Sequence, residues 1–517
     1  MTASAPDDSA DATARRWTLA AAILGSSMAF MDGTVVNVAL PAIQHGFDAS
    51  GAGAQWVIEA YALFLAALLL VGGALGDRFG RKRVFLVGVV VFTATSAACA
   101  AAQDLGQLIA ARAMQGVGAA LLVPGSLALL GANFPEAERG RAIGTWSAFS
   151  GITAAIGPVV GGVLVDHLSW RWAFLLNVPI GALVLACLAR VPESRGAGAA
   201  GRLDIAGAVT ATVGLAGVVF ALIEAPARAG HEGPVVAAGV LGLVALAAFV
   251  ACEARADDPM LPLRLFRDRD FTGANLLTLL LYAALGGGLY FVPLDLIQVQ
   301  GWSATEAGAA LLPFVAILFA LSRAAGALAD AVGPRWALVA GPAIAAMGFA
   351  LFARTGIGGG YWTAFFPAIC VLGLGMTVTI TPLTTTVMNA HGEKLAGTAS
   401  GINNAVSRAA GLLAIAALGA VLSQVFEPRL AELAADAHLS QDVAASVMQQ
   451  EHKLGAIVAP PGASADVVAQ VHRVVAASFV AGFRAVMWVG AALAAAASLC
   501  AFVLIGNHKP ASKDPNR

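Results

Sequence analysis

The chain has little charge and few cysteines for its length. Only 12% of its 517 residues are charged, against about a quarter in an average soluble domain. This is too little charge to cover a water-exposed surface. The net charge of −1 also gives no indication of a polyanionic partner, so we expect no nucleic acid. With 59% apolar residues and a mean hydropathy of +0.79, the composition is that of a membrane protein.

Several kinds of site are missing from the sequence. The five cysteines are widely spaced, and no CxxC pair, HExxH sequence or cysteine–histidine cluster occurs, so we expect neither a metal site nor a disulfide framework. No Walker A phosphate loop is present, so we expect no ATP-driven step and no cofactor. The polar, acidic segment 1–16 lacks a signal-peptide cleavage pattern and is predicted to be a cytoplasmic tail.

Long apolar runs make up most of the remaining chain. A helix needs about 20 apolar residues to cross a bilayer, and fourteen runs meet or approach this length. The predicted spans are 17–40, 55–75, 84–102, 105–130, 142–165, 171–191, 204–224, 234–253, 271–298, 304–328, 335–354, 362–389, 396–423 and 478–505. Lysine and arginine concentrate in alternate connections, which predicts that both termini are cytoplasmic. We therefore predict an all-α integral membrane protein with about 14 transmembrane helices.

Two stretches of the sequence repeat at one offset. GALGDRFGRKR at 73–83 resembles GALADAVGPRW at 326–336, and RAIGTWS at 141–147 resembles KLAGTAS at 394–400. Both pairs are 253 residues apart, as expected for the internal duplication of many secondary transporters. The offset covers eight predicted helices, so two extra helices are inserted between six-helix halves. The predicted segments are a tail 1–16, a first half 17–191, inserted helices 192–253, a linker 254–270, a second half 271–505 with an extracytoplasmic loop 424–477, and a tail 506–517.

Two charged residues are predicted to meet inside the bilayer. Asp32 interrupts the first apolar run, where a charge is costly and marks a functional site by default. Arg112 lies at a similar depth in the antiparallel fourth span, and a buried arginine needs a partner. Asp32 and Arg112 are therefore a candidate pair, direct or through water, and Gln115 shares the helical face of Arg112.

Five short motifs resemble those of a known transporter family. The tight turn GALGDRFGRKRV is similar to the loop signature of the major facilitator superfamily. The other motifs resemble the fourteen-helix drug:proton antiporter branch of that family. They are MDGTVVNVALPAI at 31–43, RAMQGVGAALLVPG at 112–125, SGITAAIGPVVGG at 150–162 and SWRWAFLLNVPIG at 169–181. The resemblance covers residues 17 to 425.

This resemblance implies a major facilitator fold and a proton-coupled exporter of drug-like small molecules that works by alternating access. The implied energy source is the proton gradient, and the implied location is the cell membrane. A periplasmic adaptor is expected only where the host has an outer membrane. An uptake symporter of the same fold, a membrane enzyme and a receptor are the alternatives. The GPVVGG sequence of the antiporter motif favours export over uptake.

The resemblance and the placement of the residues together nominate functional positions. Asp32 with Arg112 is the first candidate for proton coupling and Glu59 the second; the alternative is that Asp32 ties the first helix to the fourth and that Glu59 or Asp295 carries the proton. Candidates for the substrate cavity are Asn37, Gln115, Tyr290 and Asp295. The conformational gate is assigned to Gly73, Asp77, Arg78, Gly80, Arg81, Asp330 and Gly333, and the antiporter motif to Gly151, Gly157, Pro158, Gly161 and Gly162.

Overall fold

The computed structural model of the chain describes residues 8–195, 204–227, 232–257, 259–390 and 395–506. Within these ranges the regular structure is helical and no strand forms, which confirms the predicted all-α class. The α-helices are α1 (Asp8–Gly46), α2 (Gly51–Phe79), α3 (Arg81–Ala101), α4 (Leu105–Asn133), α5 (Glu136–His167), α6 (Trp172–Leu175), α7 (Asn177–Leu188), α8 (Ile205–Ala227), α9 (Glu232–Arg255), α10 (Arg269–Leu294), α11 (Ala304–Ala310), α12 (Leu312–Val332), α13 (Pro334–Phe352), α14 (Tyr361–Asn389), α15 (Ala396–Asp436), α16 (Gln441–Gln449) and α17 (Ala465–Leu504). Short 3-10 helices at Leu263–Arg267 and Glu451–Ala456 and a π-helix at Asp295–Val299 complete the described elements.

The apolar helices account for the predicted membrane spans. In the described ranges, 13 helices are long and apolar enough to cross a bilayer. The predicted sixth span, 171–191, is shorter, because α6 and α7 together cover only Trp172–Leu188. Helix α7 ends at Leu188, shortly before Pro192. A proline disfavours helical conformation in the residue that precedes it. The chain is a multi-pass membrane protein.

The chain divides into two compact units. Unit 1 comprises Met1–Ile43, Trp56–Val213 and Leu246–Met260. Unit 2 comprises Gln44–Gln55, Gly214–Ala245 and Leu261–Arg517. The connection between α1 and α2 is thus part of unit 2, and the inserted helices α8 and α9 are each divided between the units.

In unit 1, glycines bring α4 into backbone contact with its neighbours. A methyl group added at Gly118 would lie 2.7 Å from the backbone nitrogen of Phe92 on α3. One added at Gly116 would collide with the carbonyl oxygen of Tyr61 on α2, and one at Gly72 with the carbonyl oxygen of Ala120. Small residues permit this approach, as is usual for membrane helices. Helix α4, which carries Arg112, is consequently packed closely between α2 and α3.

In unit 2, the segment predicted as the loop 424–477 is mostly helical. Helices α15 and α17 extend into it from either side, and α16 lies between them. Residues 457–464, which include the sequence APPGAS, lie outside any helix. The long polar segment is therefore an ordered helical feature in the structure.

This segment holds the connection between α1 and α2. Gln44 donates a hydrogen bond to the Lys453 carbonyl at 3.0 Å and accepts one from Gln298 at 2.9 Å. Lys453 Nζ also donates to Asp48 Oδ1 at 2.5 Å. The hydrogen bond from Lys453, and then its charge, lower the pKa of Asp48 below the usual value. Because the pKa is lowered, the carboxylate of Asp48 is ionised at neutral pH, and acid that protonates it removes its attraction to Lys453.

The internal repeat is visible in the backbone. Gly80 precedes α3 with φ 111° and ψ 126°, and Gly333 precedes α13 with φ 91° and ψ 148°. These glycines are matching positions of the repeated sequence, 253 residues apart. A positive φ of this kind is adopted essentially by glycine alone. Both copies of the turn therefore need their glycine for the same conformational reason.

We expect Gly80→Ala and Gly333→Ala each to destabilise the protein by about 1–3 kcal/mol, the cost of holding a non-glycine residue in such a conformation. At Gly80 the new methyl group would also lie 2.8 Å from Glu193 Oε1, so the end of the Glu193 side chain would have to shift. Gly140→Ala is the matched control, since a methyl group there meets no atom within 4 Å. Thermal unfolding of the detergent-purified protein measures the effect; equal midpoints for all three variants would contradict it.

Candidate functional site

Asp32 and Arg112 form a direct ion pair inside unit 1. Arg112 Nη1 donates to Asp32 Oδ2 at 2.5 Å. The relative exposure of Asp32 is 1% and that of Arg112 is 0%. Asp32 lies on α1, and Arg112 lies two turns into α4. The depth of the two residues in their spans predicts that they meet. The structure forms this contact directly.

Three further polar side chains surround the ion pair. Gln115 Nε2 donates to Asp32 Oδ1 at 2.9 Å and to Ser96 Oγ at 2.7 Å. Its Oε1 accepts a hydrogen bond from Arg112 Nη1 at 2.8 Å. Asn177 Nδ2 donates to Asp32 Oδ1 at 3.2 Å and to Ser96 Oγ at 3.1 Å. These five residues, which we name the charge cluster, are all essentially buried and connect α1, α3, α4 and α7.

Arg112 also connects the charge cluster to α2. Its Nε donates to the Val57 carbonyl at 2.9 Å, and its guanidinium lies 4.3 Å from the centre of the Tyr61 ring. The Tyr61 hydroxyl in turn donates to the Ala29 carbonyl on α1 at 3.3 Å. The Phe174 ring lies 5.7 Å from the guanidinium carbon. A single buried arginine thus holds a carboxylate, a backbone carbonyl and two aromatic rings.

The antiporter motif packs α5 against α1 beside Asp32. A methyl group added at Gly161 would lie 3.1 Å from the Val35 Cα, and one at Gly157 would collide with Thr34 Oγ1. Helix α5 continues through Pro158 without a break, and Gly151 and Gly162 lie on the same helix. The glycines therefore permit a close approach of α5 within three residues of the acid. Their part in gating stays a prediction.

Glu59 is buried without a partner. Its relative exposure is 0%, and neither carboxylate oxygen accepts a hydrogen bond from any described residue. Its position, the ninth residue of α2, is more than two turns from the beginning of the helix. Glu59 therefore does not reach solvent in this structure. Complete burial of an unpaired carboxyl is unusual enough to mark a functional group.

The second unit contains the remaining cavity candidates apart from Asn37. Asp295 is the first residue of the π-helix and is fully buried. Its Oδ2 accepts a hydrogen bond from Gln300 Nε2 at 3.3 Å. Its Oδ1 accepts none from the described residues. Tyr290 is also buried, with its ring edge-on to Phe291 at 4.7 Å. In unit 1, Asn37 is half-buried and its Oδ1 is enclosed without a donor in the described chain. Contact of these residues with a substrate stays a prediction.

The gate residues of the first copy of the repeat form local contacts. Asp77 Oδ1 accepts a hydrogen bond from Arg81 Nε at 2.8 Å, and Arg81 Nη1 donates to the Ala128 carbonyl on α4 at 3.3 Å. Arg78 is exposed, with its guanidinium 5.5 Å from the Phe79 ring. Gly73 makes only ordinary contact with Pro124.

In the second copy of the repeat, Gly333 adopts the positive φ described above, whereas the side chain of Asp330 and residues 391–394 lie outside the described part of the chain. The contacts of the Asp330 side chain, and the position of Lys394 at the start of the repeated sequence KLAGTAS, are therefore not described by the structure. Their roles stay predictions.

Two members of the charge cluster were not predicted from the sequence. Asn177 is a lone amide within the apolar LLNVPIG stretch, and Ser96 is one of several small polar residues of α3. The Asn177 position carries a usable signal, since a lone amide in a predicted span needs a hydrogen-bond partner. Ser96 carries none, because serine is common in membrane helices at positions that only pack.

Comparison with known protein families identifies a match over most of the chain. Residues 22–415 match the family described as Major Facilitator Superfamily. The chain is 32% identical over 498 residues to the tetracenomycin C resistance and export protein of Streptomyces glaucescens, covering 94% of this chain and 91% of that protein. It is 37% identical to the puromycin resistance protein of Streptomyces alboniger, covering 79% and 82%. The methylenomycin A resistance protein of Streptomyces coelicolor is 38% identical, with coverage of 77% and 84%.

Solved structures share the fold at lower sequence similarity. A bacterial homologue of the human lysosomal transporter Spinster has a TM-score of 0.63 at 17% identity, covering 94% of this chain and 97% of that chain. A POT family transporter in complex with 5-aminolevulinic acid has a TM-score of 0.59 at 14% identity, with coverage of 80% and 90%. At these identities the likeness concerns the fold alone.

Proposed function

Because the chain belongs to the major facilitator superfamily, we propose that it exports antibiotics or similar drug-like small molecules across the cell membrane in exchange for protons. One observation carries the proposal: the chain matches an antibiotic resistance and export protein over 94% of its own length and 91% of that relative. Puromycin and methylenomycin A resistance proteins among the relatives support export over uptake. The substrate is expected to be a small, amphiphilic compound.

The buried acids supply a physical basis for proton coupling. An alternating-access cycle needs a group that binds a proton on one side of the membrane and releases it on the other. Carboxyl groups enclosed in a membrane protein suit this task, because their surroundings decide whether the charged form is tolerated. Asp32 and Glu59 are such groups in unit 1, and Asp295 is one in unit 2. In this proposal the proton gradient, and not ATP, drives export.

The placement of charge in the sequence supports a topology with both termini in the cytoplasm. Reporter fusions at the C-terminus test it: we expect a fluorescent protein fused there to be active and a periplasmic phosphatase to be inactive. An active phosphatase fusion would contradict the proposed orientation. An adaptor protein is proposed only for a host that has an outer membrane.

The experiment that tests export uses inverted membrane vesicles that contain the protein and a pH-sensitive dye. After respiration has acidified the vesicle interior, tetracenomycin C, puromycin and methylenomycin A are added one at a time. We expect at least one compound to release protons from the vesicles and to become less toxic to an efflux-deficient host that expresses the protein. Vesicles from the same host without the protein are the control. No proton release and unchanged susceptibility to all three compounds would contradict the proposal.

A further inference from the structure

We propose that Glu59 carries the transported proton and that the charge cluster of Asp32 and Arg112 holds helix α2 in position. This inference rests on the proposed proton-coupled export and deepens it by assigning the coupling group. It follows from a contrast between two carboxyl groups of unit 1. Both oxygens of Asp32 accept hydrogen bonds, whereas neither oxygen of Glu59 accepts one from the described residues.

The surroundings of Asp32 make protonation unfavourable. One oxygen accepts the hydrogen bond from Arg112, and the other accepts hydrogen bonds from the amides of Gln115 and Asn177. A proton that bound Oδ1 would displace one of its two amide donors, and a proton on either oxygen would remove the negative charge that faces Arg112. It would also leave the guanidinium of Arg112 as an uncompensated buried charge, which is strongly unfavourable. Asp32 is therefore built to keep its contacts, as a structural ion pair does.

The surroundings of Glu59 are the opposite. The carboxyl group is completely buried, and no described donor reaches either oxygen. An ionised carboxylate without a partner is not tolerated in such a site, so the enclosed group is the neutral acid. The ionised form becomes possible once water reaches the side chain. The charge of Glu59 thus depends on whether water can reach the face of α2 that carries it. Coupling of proton transfer to a conformational change requires this dependence.

The charge cluster determines where Glu59 points. Val57 and Tyr61, which contact Arg112, lie two residues before and two residues after Glu59. On an α-helix, residues two positions apart lie about 200° apart, so Glu59 faces away from Arg112 and Asp32. The contacts of Arg112 with α2 prevent the helix from turning Glu59 toward the guanidinium. Without that restraint, Glu59 would gain a cationic partner and lose its dependence on hydration.

The proposed step transfers one proton and needs no other reactant. When the face of α2 that carries Glu59 opens to the acidic side, water delivers a proton and an O–H bond forms on the carboxylate. Closure encloses the neutral acid. Opening to the other side hydrates the group, the O–H bond breaks, and the proton passes to water and leaves a carboxylate. The cluster of Asp32 and Arg112 keeps its bonds throughout.

Infrared difference spectroscopy of the full-length purified protein between acidic and alkaline pH tests this assignment without any substrate. A protonated carboxylic acid gives a carbonyl band that an ionised carboxylate lacks. Asp295 is also enclosed and contributes its own component to the buried-acid band of the wild type. We expect Glu59→Gln to remove one component of this band and Asp32→Asn to remove none. Asp104→Asn is the matched control, because Asp104 is an exposed helix cap and asparagine caps a helix equally well. A wild-type spectrum without a buried-acid band, a band that Glu59→Gln leaves unchanged, or a component that is lost in Asp32→Asn would overturn the proposal.

A second measurement uses puromycin in proteoliposomes. We expect Glu59→Gln, which resembles the neutral acid in shape, to exchange puromycin across the membrane at a rate close to that of the wild type while losing accumulation driven by a pH gradient. Undiminished gradient-driven accumulation in this variant would overturn the assignment. If the wild type itself does not move puromycin, the failure concerns the proposed substrate, and the infrared bands still decide the role of Glu59.

Discussion

Replacing Arg112 with methionine is expected to remove most of the folded protein from the membrane and to abolish transport. The substitution would leave the carboxylate of Asp32 buried without its cation and the Val57 carbonyl without its donor. Breaking a buried ion pair by removing one partner costs about 3–5 kcal/mol. Such a loss is a large part of the net stability of a folded protein, about 5–15 kcal/mol.

Arg171→Met is the matched control for this prediction. Arg171 also donates to a backbone carbonyl, that of Ala102 at 3.0 Å, and its guanidinium lies 4.3 Å from the centre of the Trp170 ring. It is only half-buried, and no ion pair with a carboxylate accompanies these contacts in the described chain. We expect its replacement to lower the unfolding midpoint far less. Fluorescence-detected size exclusion after heating measures both variants, and equal midpoints would refute the special role of Arg112.

Arg112→Lys separates charge from shape. Lysine keeps the positive charge but lacks the planar fork that reaches Asp32, Gln115 and the Val57 carbonyl together. We expect a midpoint between those of the wild type and Arg112→Met. A midpoint equal to that of the wild type would show that charge alone stabilises the cluster.

Hydropathy and repeat spacing were sufficient to predict the helical architecture. Each long apolar run must satisfy its own backbone hydrogen bonds in a bilayer, and this leaves the helix as the only conformation for such a chain. The offset of 253 residues between two glycine turns predicted a duplication, and the matching positive φ values of Gly80 and Gly333 agree with it. The sixth span was predicted too long, because hydropathy does not register the effect of Pro192 on the helix end.

The charge cluster was predictable only in part. Depth within antiparallel spans was enough to pair Asp32 with Arg112, because a buried charge has few choices of partner. The rotation of each helix about its axis was not predictable, and this rotation decides which small polar residues join the pair. Asn177 and Ser96 were missed for this reason. For the same reason the sequence did not show that Glu59 is completely enclosed.

A double variant, Asp32→Asn with Arg112→Met, is expected to recover most of the stability that either single replacement loses. The double replacement leaves no uncompensated charge, and exchanging a buried ion pair for uncharged residues is often neutral or stabilising by about 1–4 kcal/mol. Asparagine also keeps a carbonyl oxygen that can accept from Gln115 and Asn177. Unfolding midpoints of the wild type, both single variants and the double variant form a cycle that measures the coupling of the pair. A double variant as unstable as Arg112→Met would mean that the ring and carbonyl contacts, and not the charge, are what the protein needs from this residue.

The same double variant separates the structural role of the pair from proton transfer. If the pair only positions α2, the infrared band of Glu59 should persist in the double variant, because the enclosed acid still has no donor near it. Should Asp32 carry the proton, that band would instead disappear together with the carboxyl group of Asp32. The two roles thus predict opposite spectra from one folded protein. This is a stronger test than a transport assay, because transport can fail whenever the helices are displaced, whereas the band reports the protonated carboxyl group directly.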